Sequence, residues 1–311
     1  MSYRVEFGQR TAGGREHQVV TLGNADGSAL AEVWPSLGCN CLRWQVGGLH
    51  LLYHSPEWVT NPVPTRSGVP VLFPFPNRIA GGRFSWDGRE YSVPLAPGTP
   101  NAIHGFVCRR PWRVMSHNAA GDAASVTAEF QGSVDAPETL AYWFTDYRIA
   151  LTVELRADRL AFVARIENPD TKPLPWGLGY HPYFTAADET RVSSPASVLW
   201  ELHDSIPTGR RVPVDAAHDL RTPRRFAELN LDSLYTDFGP ATELFRQGVV
   251  EHVGVGRVEV WADPEYRELV AFTPPHRQAV CLEPYTCAND AVNLQARGIE
   301  AGWRVLQPGQ S

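Results

Sequence analysis

Lysine is almost absent from this sequence. Lys172 is the only lysine in 311 residues, and arginine supplies the rest of the 28 basic side chains. Schiff-base enzymes and P-loop phosphate binders each require a lysine in a specific setting. Lys172 stands in a polar, turn-like stretch at residues 168–173, where an amine would not be desolvated. The sequence therefore excludes lysine chemistry, and we attribute the arginine excess to composition.

Other features are missing as well. The 34 acidic residues outnumber the 28 basic ones, and no basic block occurs, which argues against nucleic-acid binding. No apolar run reaches the length of about 18 residues that a membrane-spanning helix needs. The start, MSYRVEFGQR, has no apolar core of a signal peptide. The five cysteines form no C-x-x-C pair, so we expect reduced thiols in the cytoplasm.

The sequence also contains no convincing motif for binding a metal or a nucleotide. Gly254-Val255-Gly256 lacks the third glycine of a dinucleotide loop, and strand-like residues follow it. His50 and His54 have the spacing of a zinc pair on a helix, but their surroundings indicate a strand, which separates them. We expect neither a metal nor a cofactor.

Strand periodicity, by contrast, is common. Its best example spans residues 147–167, where apolar residues recur at every second position on both sides of the polar turn Arg156-Ala157-Asp158-Arg159. This alternation predicts a long antiparallel hairpin with one buried face. Asp87-Gly88 predicts a second hairpin, because this dipeptide tolerates the positive φ angles of a tight turn.

Glycine and proline, with 26 residues each, punctuate the whole chain. Many short strands, frequent turn signals and few helices are typical of a large antiparallel β-sandwich. No linker or low-complexity segment divides the sequence. We therefore predict an all-β fold with a single domain over residues 1–311 and long loops at 55–82 and 185–228.

Two segments hold polar side chains in rigid surroundings. Asn77 and Arg78 follow two prolines and precede two glycines, and the planar arginine fork suits hydroxyls or a carboxylate. His104 stands in Asn101-Ala102-Ile103-His104-Gly105. From the residues alone, Arg78 is either a ligand-binding group or the structural partner of a buried carboxylate.

His181 and Glu283 are the candidates for proton transfer. His181 precedes a proline and lies among aromatic residues, and histidine is the usual proton shuttle. Glu283 ends an apolar strand, where a carboxylate is costly unless it is hydrogen-bonded or functional. The residues leave two interpretations of Glu283 open: a base with a raised pKa, or a buried salt bridge to Arg78.

Together these segments resemble the aldose 1-epimerase (galactose mutarotase-like) family. The matching pattern, in order and spacing, is Pro76-Asn77-Arg78-Ile79-x-x-Gly82-x-Phe84, Gly88-x-x-Tyr91, Asn101-x-x-His104-Gly105, His181-Pro182-Tyr183-Phe184 and Glu283-Pro284. The resemblance covers nearly the whole chain. It implies a β-supersandwich with an open sugar-binding cleft and no cofactor.

The resemblance also implies roles for residues. Glu283 resembles the family's general base, His181 its general acid, and His104 the second histidine near the ring oxygen. The implied sugar-binding residues are Asn77, Arg78, Tyr183 and Asp232. Asp237 is a rival for the aspartate, because it also precedes an aromatic residue.

The sequence departs from galactose enzymes after Gly105, where Arg109 and Arg110 are either surface residues or contacts for a phosphate or sulfonate. We expect a cytoplasmic isomerase, monomeric or homodimeric, that acts as a mutarotase on a free aldose or aldose derivative. The alternatives are a non-catalytic carbohydrate-binding or sugar-sensing domain, a hexose-phosphate 1-epimerase and a glycoside hydrolase.

Overall fold

The computed structural model describes residues 2–311 and consists mainly of β-strands. Its α-helices are short, α1 (Gly132–Asp135) and α2 (Ala291–Ala296). Short 3₁₀ helices occupy Pro35–Leu37, Pro56–Val59, Pro64–Arg66, Ala80–Gly82, Pro137–Ala141 and Phe226–Glu228. The strands, in chain order, are β1 (Tyr3–Ala12), β2 (Arg15–Asn24), β3 (Ala29–Trp34), β4 (Asn40–Val46), β5 (Leu49–His50), β6 (Val71–Leu72), β7 (Arg78–Ile79), β8 (Arg83–Trp86), β9 (Arg89–Ser92), β10 (Ala102–Ile103), β11 (Arg113–Ala120), β12 (Ala123–Gln131), β13 (Arg148–Leu155), β14 (Leu160–Glu167), β15 (Leu174–Trp176), β16 (Gly179–Tyr180), β17 (Tyr183–Thr185), β18 (Arg191–Ser193), β19 (Val198–His203), β20 (Ile206–Pro213), β21 (Arg224–Arg225), β22 (Asp232–Thr236), β23 (Phe245–His252), β24 (Gly256–Ala262), β25 (Glu268–Phe272), β26 (Ala279–Tyr285) and β27 (Arg304–Leu306).

The chain forms two compact units, each assembled from separate stretches of sequence. Unit one contains residues up to 74, residues 106–175 and residues 305–311, and unit two contains residues 75–105 and 176–304. That both belong to one domain over residues 1–311 stays a prediction.

Unit one holds two antiparallel sheets, with strand orders β1-β2-β3-β4-β5 and β11-β12-β13-β14. The predicted hairpin is β13–β14, paired from Arg148↔Glu167 to Leu155↔Leu160. Every second residue of β13, beginning at Ile149, is fully buried. Full burial of such a side chain contributes about 1.5–3 kcal/mol. The alternation in the sequence thus marks the face of β13 that packs inward.

Unit two holds the antiparallel strands in the order β20-β19-β22-β25-β26-β16, with β17 also paired to β26. A further sheet has the order β21-β18-β23-β24. The second predicted hairpin is β8–β9, with positive φ at Asp87 and Gly88. All seven residues of β26 are buried, which makes this strand the centre of the unit.

The predicted long loop at 185–228 is wrong in large part, because β18, β19, β20 and β21 lie within it. The β19–β20 hairpin turns at Asp204 and Ser205, whose φ angles are +50° and +64°. Serine rarely adopts this conformation, so the turn lacks the glycine signal that marks Asp87-Gly88. A register shift between Trp200 and Leu202 also breaks the strand alternation.

Among residues 2–311, no helix has the length and apolar character needed to cross a membrane. All five cysteines are free thiols and are buried.

Candidate active site

The register of β26 determines which side chains share a face of the sheet. Cys281 lies opposite Phe272 on β25 and opposite Tyr183 on β17. Directly opposed residues, and residues two apart on one strand, point to the same side. Cys281, Glu283 and Tyr285 therefore project from β26 on the face that Tyr183 shares.

His181 and Glu283 meet on this face. His181 Nε2 lies 3.3 Å from Glu283 Oε1, and the two residues are only 6% and 1% exposed. Tyr285 donates a hydrogen bond from its hydroxyl to Glu283 Oε2. The Tyr183 ring stacks on the His181 imidazole at 4.6 Å, and its hydroxyl is 3.4 Å from His181 Nε2. The sequence-predicted base and acid are thus direct neighbours.

A glycine makes room for this arrangement. Gly179 lies opposite Tyr285 in the β16–β26 pairing. A Cβ atom at position 179 would lie 2.4 Å from the Tyr285 ring and 2.7 Å from Pro76. Only glycine lets Tyr285 occupy the position from which it reaches Glu283.

Burial dominates the electrostatics of the pair. It raises the pKa of Glu283 well above its ordinary value, and the Asp232 charge adds to this, while the Tyr285 hydrogen bond and Arg78 act in the opposite direction. Burial also lowers the pKa of His181 to about 3. Desolvation penalises the charged form of each group. The shared proton is therefore more stable on Glu283, which leaves both side chains neutral, than on His181, which would make the two an ion pair.

Arg78 lies on β7, and Asn77 and His104 directly flank β7 and β10. Register pairs Arg78 with Ile103, and the His104 amide donates to the Asn77 carbonyl at 2.8 Å. Both Asn77 and His104 have left-handed backbones, with φ of +51° and +67°. Such conformations in residues other than glycine concentrate at functional sites. The His104 ring lies edge-on to His181, with centroids 5.6 Å apart.

A buried aspartate anchors the Arg78 segment. Asp290 Oδ1 accepts from the Ala80 amide at 2.9 Å, and the Asp290 amide donates to the Arg78 carbonyl at 2.7 Å. Asn293 Nδ2 also donates to Asp290 Oδ1. Asp290 thus holds the backbone on both sides of Ile79, while the Arg78 side chain donates to Asn77 Oδ1 at 2.7 Å.

Arg78 does not form the buried salt bridge that was the alternative interpretation of Glu283. Within residues 2–311, no nitrogen of Arg78 lies within 4.0 Å of a Glu283 oxygen, although the guanidinium charge still lowers the Glu283 pKa. The neighbour that faces Glu283 at ion-pair distance is His181.

The two candidate aspartates lie at opposite ends of β22. Asp232 opposes Phe272, which opposes Cys281, so its side chain shares the face of Glu283 and raises the pKa of that carboxyl. It accepts a hydrogen bond of 3.4 Å from Ser205. Asp237 follows the other end of the strand, with φ of +61°, and accepts from Ser197. The geometry favours Asp232 as a neighbour of the pair.

Sequence reasoning missed Tyr285 and Asp290. Tyr285 carried a usable signal, because it lies two residues after Glu283 on the same strand and so on the same face. Asp290 follows the strand in an unremarkable loop, and its role depends on contacts with residues 210 positions earlier. Of the two arginines considered for an anion, Arg110 pairs with Glu138 and Arg109 is exposed, both in unit one.

Comparison with solved structures defines the class of fold. A galactose mutarotase-like protein from Clostridium acetobutylicum superposes with a TM-score of 0.85 over 99% of this chain and 96% of that one, at 22% identity. Galactose 1-epimerase from Lactobacillus acidophilus superposes with a TM-score of 0.76 over 99% of this chain and 96% of that one, at 16% identity. The chain has the all-β fold of galactose mutarotase-like proteins.

The family follows from the sequence itself. The model of the aldose 1-epimerase family matches residues 18–311, and the chain belongs to that family. Galactose mutarotase of Sus scrofa is 29% identical over 202 residues, 58% of this chain and 55% of that protein. The uncharacterised Escherichia coli proteins YphB and YihR are also similar. YphB is 32% identical over 42% of this chain and 41% of its own length. YihR is 25% identical over 83% of this chain and 81% of its own length.

Proposed function

We propose that this chain is a mutarotase that interconverts the α and β anomers of a free aldose or aldose derivative. The observation that carries the proposal is the buried pair of Glu283 and His181, 3.3 Å apart, with the His104 ring beside it. Anomerisation needs one group to take the proton of the anomeric hydroxyl and another to protonate the ring oxygen. A carboxyl and an imidazole in direct contact are suited to this exchange.

In the proposed reaction Glu283 removes the proton from the anomeric hydroxyl, and His181 protonates the ring oxygen with help from His104. The bond between the anomeric carbon and the ring oxygen breaks, and an open-chain aldehyde forms. Rotation about the C1–C2 bond and reversal of both proton transfers close the ring on the other face. Arg78, Asn77, Tyr183 and Asp232 hold the remaining hydroxyls, so that only the C1 end turns.

The charge state of the buried pair changes during ring opening. When the ring is closed, these roles require an ionised Glu283 and a protonated His181. Ring opening moves one proton to Glu283 and one away from His181, which leaves both groups neutral. Burial stabilises the neutral forms of both residues. The proton must therefore first pass from Glu283 to His181 within the neutral pair, at a cost in the desolvated site, and ring opening then returns both groups to their favoured neutral forms.

Anomer exchange measured by NMR on a panel of free aldoses, acidic sugars and sugar phosphates tests the proposal. We expect acceleration of exchange for at least one sugar in the panel, above the rate in buffer. Binding without acceleration would instead indicate a sugar-sensing domain. Release of the aryl group from an aryl glycoside would indicate hydrolysis, which requires two suitably spaced carboxylates.

A further inference from the structure

Cys281 is a buried thiol that the proposed reaction does not use. It is 0% exposed, and it precedes Glu283 by two residues on the same face of β26. One ligand atom from each of Cys281, His181 and Glu283 can be chosen so that all three lie within 4.8 Å of one another. The catalytic candidates are therefore part of a three-residue cluster of sulfur, nitrogen and oxygen donors.

The spacing of these donors suits a tetrahedral cation. With bonds of about 2.0–2.3 Å, tetrahedral zinc holds its ligand atoms about 3.3–3.6 Å apart. The His181 Nε2 to Glu283 Oε1 distance is 3.3 Å, so this edge already has the required length. The donor atoms of the three residues lie within 4.8 Å of one another, so shifts of about an ångström bring them to tetrahedral ligand spacing.

The chemical identity of the donors selects the class of cation. Thiolate and imidazole ligands favour Zn²⁺ and other thiophilic ions, whereas Mg²⁺ and Ca²⁺ require oxygen ligands. Three protein ligands leave the fourth tetrahedral position for a water or another small ligand. His181 also contributes a second buried ring nitrogen, Nδ1, that has no hydrogen-bond partner within residues 2–311.

We propose that Cys281, His181 and Glu283 form a binding site for Zn²⁺ or a similar thiophilic divalent cation, and that the bound cation blocks proton exchange at the pair. The cation occupies the lone pairs that Glu283 and His181 need for accepting protons. Zinc would then act as a reversible inhibitor. The binding part is independent of the proposed function, and only the inhibition part rests on it.

Direct metal binding to the intact protein tests the binding part. Equilibrium dialysis with Zn²⁺ gives stoichiometry and affinity, and Co²⁺ gives visible ligand-field bands together with a near-ultraviolet thiolate charge-transfer band. We expect one high-affinity site in the wild type, no comparable site for Mg²⁺, and the thiolate band with Co²⁺. Wild-type protein that binds no Zn²⁺ would overturn the proposal.

Two cysteine variants assign the site. Cys281→Ala should weaken Zn²⁺ binding by more than the 10–100-fold typical of changes in outer-shell residues, and should abolish the Co²⁺ thiolate band. Cys281→Ser, which preserves the size of the side chain, should lose the band as well. Cys287→Ala is the matched control, because Cys287 is equally buried and lies outside the cluster. An equal loss of Zn²⁺ affinity in Cys281→Ala and Cys287→Ala, or no loss in Cys281→Ala, contradicts the assignment.

The inhibition part has its own readout. Submicromolar free Zn²⁺ set by a metal buffer should slow anomer exchange by the wild type and by Cys287→Ala, and a chelator should restore it. Cys281→Ala should require much more zinc for the same inhibition. Zinc binding without any anomer exchange in the absence of metal would refute the proposed function and leave the metal site standing.

Discussion

Two buried glutamates on one face of the same sheet differ in their partners. Glu283 and Glu268 are each 1% exposed, and burial raises the pKa of both, that of Glu268 to about 8. Glu268 opposes Tyr285, the residue that donates to Glu283. By burial and by pKa alone, the two carboxyls are equivalent candidates for catalysis.

Their hydrogen-bond partners separate them. Glu268 accepts from the Trp200 indole at 2.9 Å, and an arginine lies over that indole at 4.3 Å. An indole N–H donates but does not exchange its proton with a carboxyl. Glu283 instead faces an imidazole, which accepts and releases protons. A raised carboxyl pKa therefore indicates catalysis only where a neighbouring side chain can itself accept and release a proton.

The largest expected effect comes from removing either member of the pair of Glu283 and His181. Glu283→Gln and His181→Gln should each slow anomer exchange by about 10²–10⁴-fold, the usual contribution of a positioned acid or base. The double variant should be hardly slower than the single ones, because the two groups act as a unit. Anomer-exchange rates measured by NMR for the wild type, the two single variants and the double variant complete a double-mutant cycle. If the activation free energies lost in the single variants add up in the double variant, the two residues act independently and the prediction is wrong.

The two aspartates of β22 offer a smaller contrast. Asp232→Asn should raise KM for the sugar about tenfold or more, because hydrogen bonds to charged groups contribute about 1.5–3 kcal/mol. Asp237→Asn should leave KM unchanged, since Asp237 lies beyond the opposite end of the strand. The reverse result would transfer the sugar-binding role to Asp237.

Glu268→Gln should change stability and leave activity intact. Unfolded glutamate loses its proton near its ordinary pKa of 4.5, whereas folded Glu268 keeps it up to about 8. Wild-type stability should therefore fall as pH rises through this window, because the folded state binds the extra proton. Glutamine stays neutral, so the Tm of the variant should exceed that of wild type increasingly up to about pH 8. A constant Tm difference across the window would contradict the buried carboxylic acid.

The pH dependence of the wild type should show no acidic limb at the ordinary histidine pKa of 6.5. Because burial lowers the pKa of His181 to about 3, the imidazole takes up no proton at the ordinary histidine value of 6.5. We expect kcat/KM to stay level as pH falls through 6.5. An acidic limb at that pH that disappears in a His181 variant would show that His181 titrates as an exposed histidine.

The sequence predicted the local features of this molecule more reliably than the distant ones. The hairpin of β13 and β14 was predictable, because its alternation and its turn lie within 21 consecutive residues. The motifs around His181 and Glu283 singled out the candidate pair, since proline and apolar strands surround them. The family resemblance named Asp232 and left Asp237 as a rival, and the register of β22 with β25 then puts Asp232 on the face of Glu283.

Contacts between distant positions were not predictable. The hydrogen bond from Trp200 to Glu268 spans 68 residues, and nothing in either segment indicates it. The β19–β20 hairpin lay hidden in a stretch rich in polar residues, with a turn that lacks glycine. The sequence shows which residues can carry chemistry, and strand register decides which of them face each other.

A side-by-side measurement of anomer exchange by Glu283→Gln and Glu268→Gln tests the central claim most directly. Both substitutions replace a buried carboxyl by an amide of the same size, and thermal melts verify that both proteins are folded. We expect exchange about 10²–10⁴-fold slower than wild type for Glu283→Gln and at the wild-type rate for Glu268→Gln. Full activity of folded Glu283→Gln would contradict it.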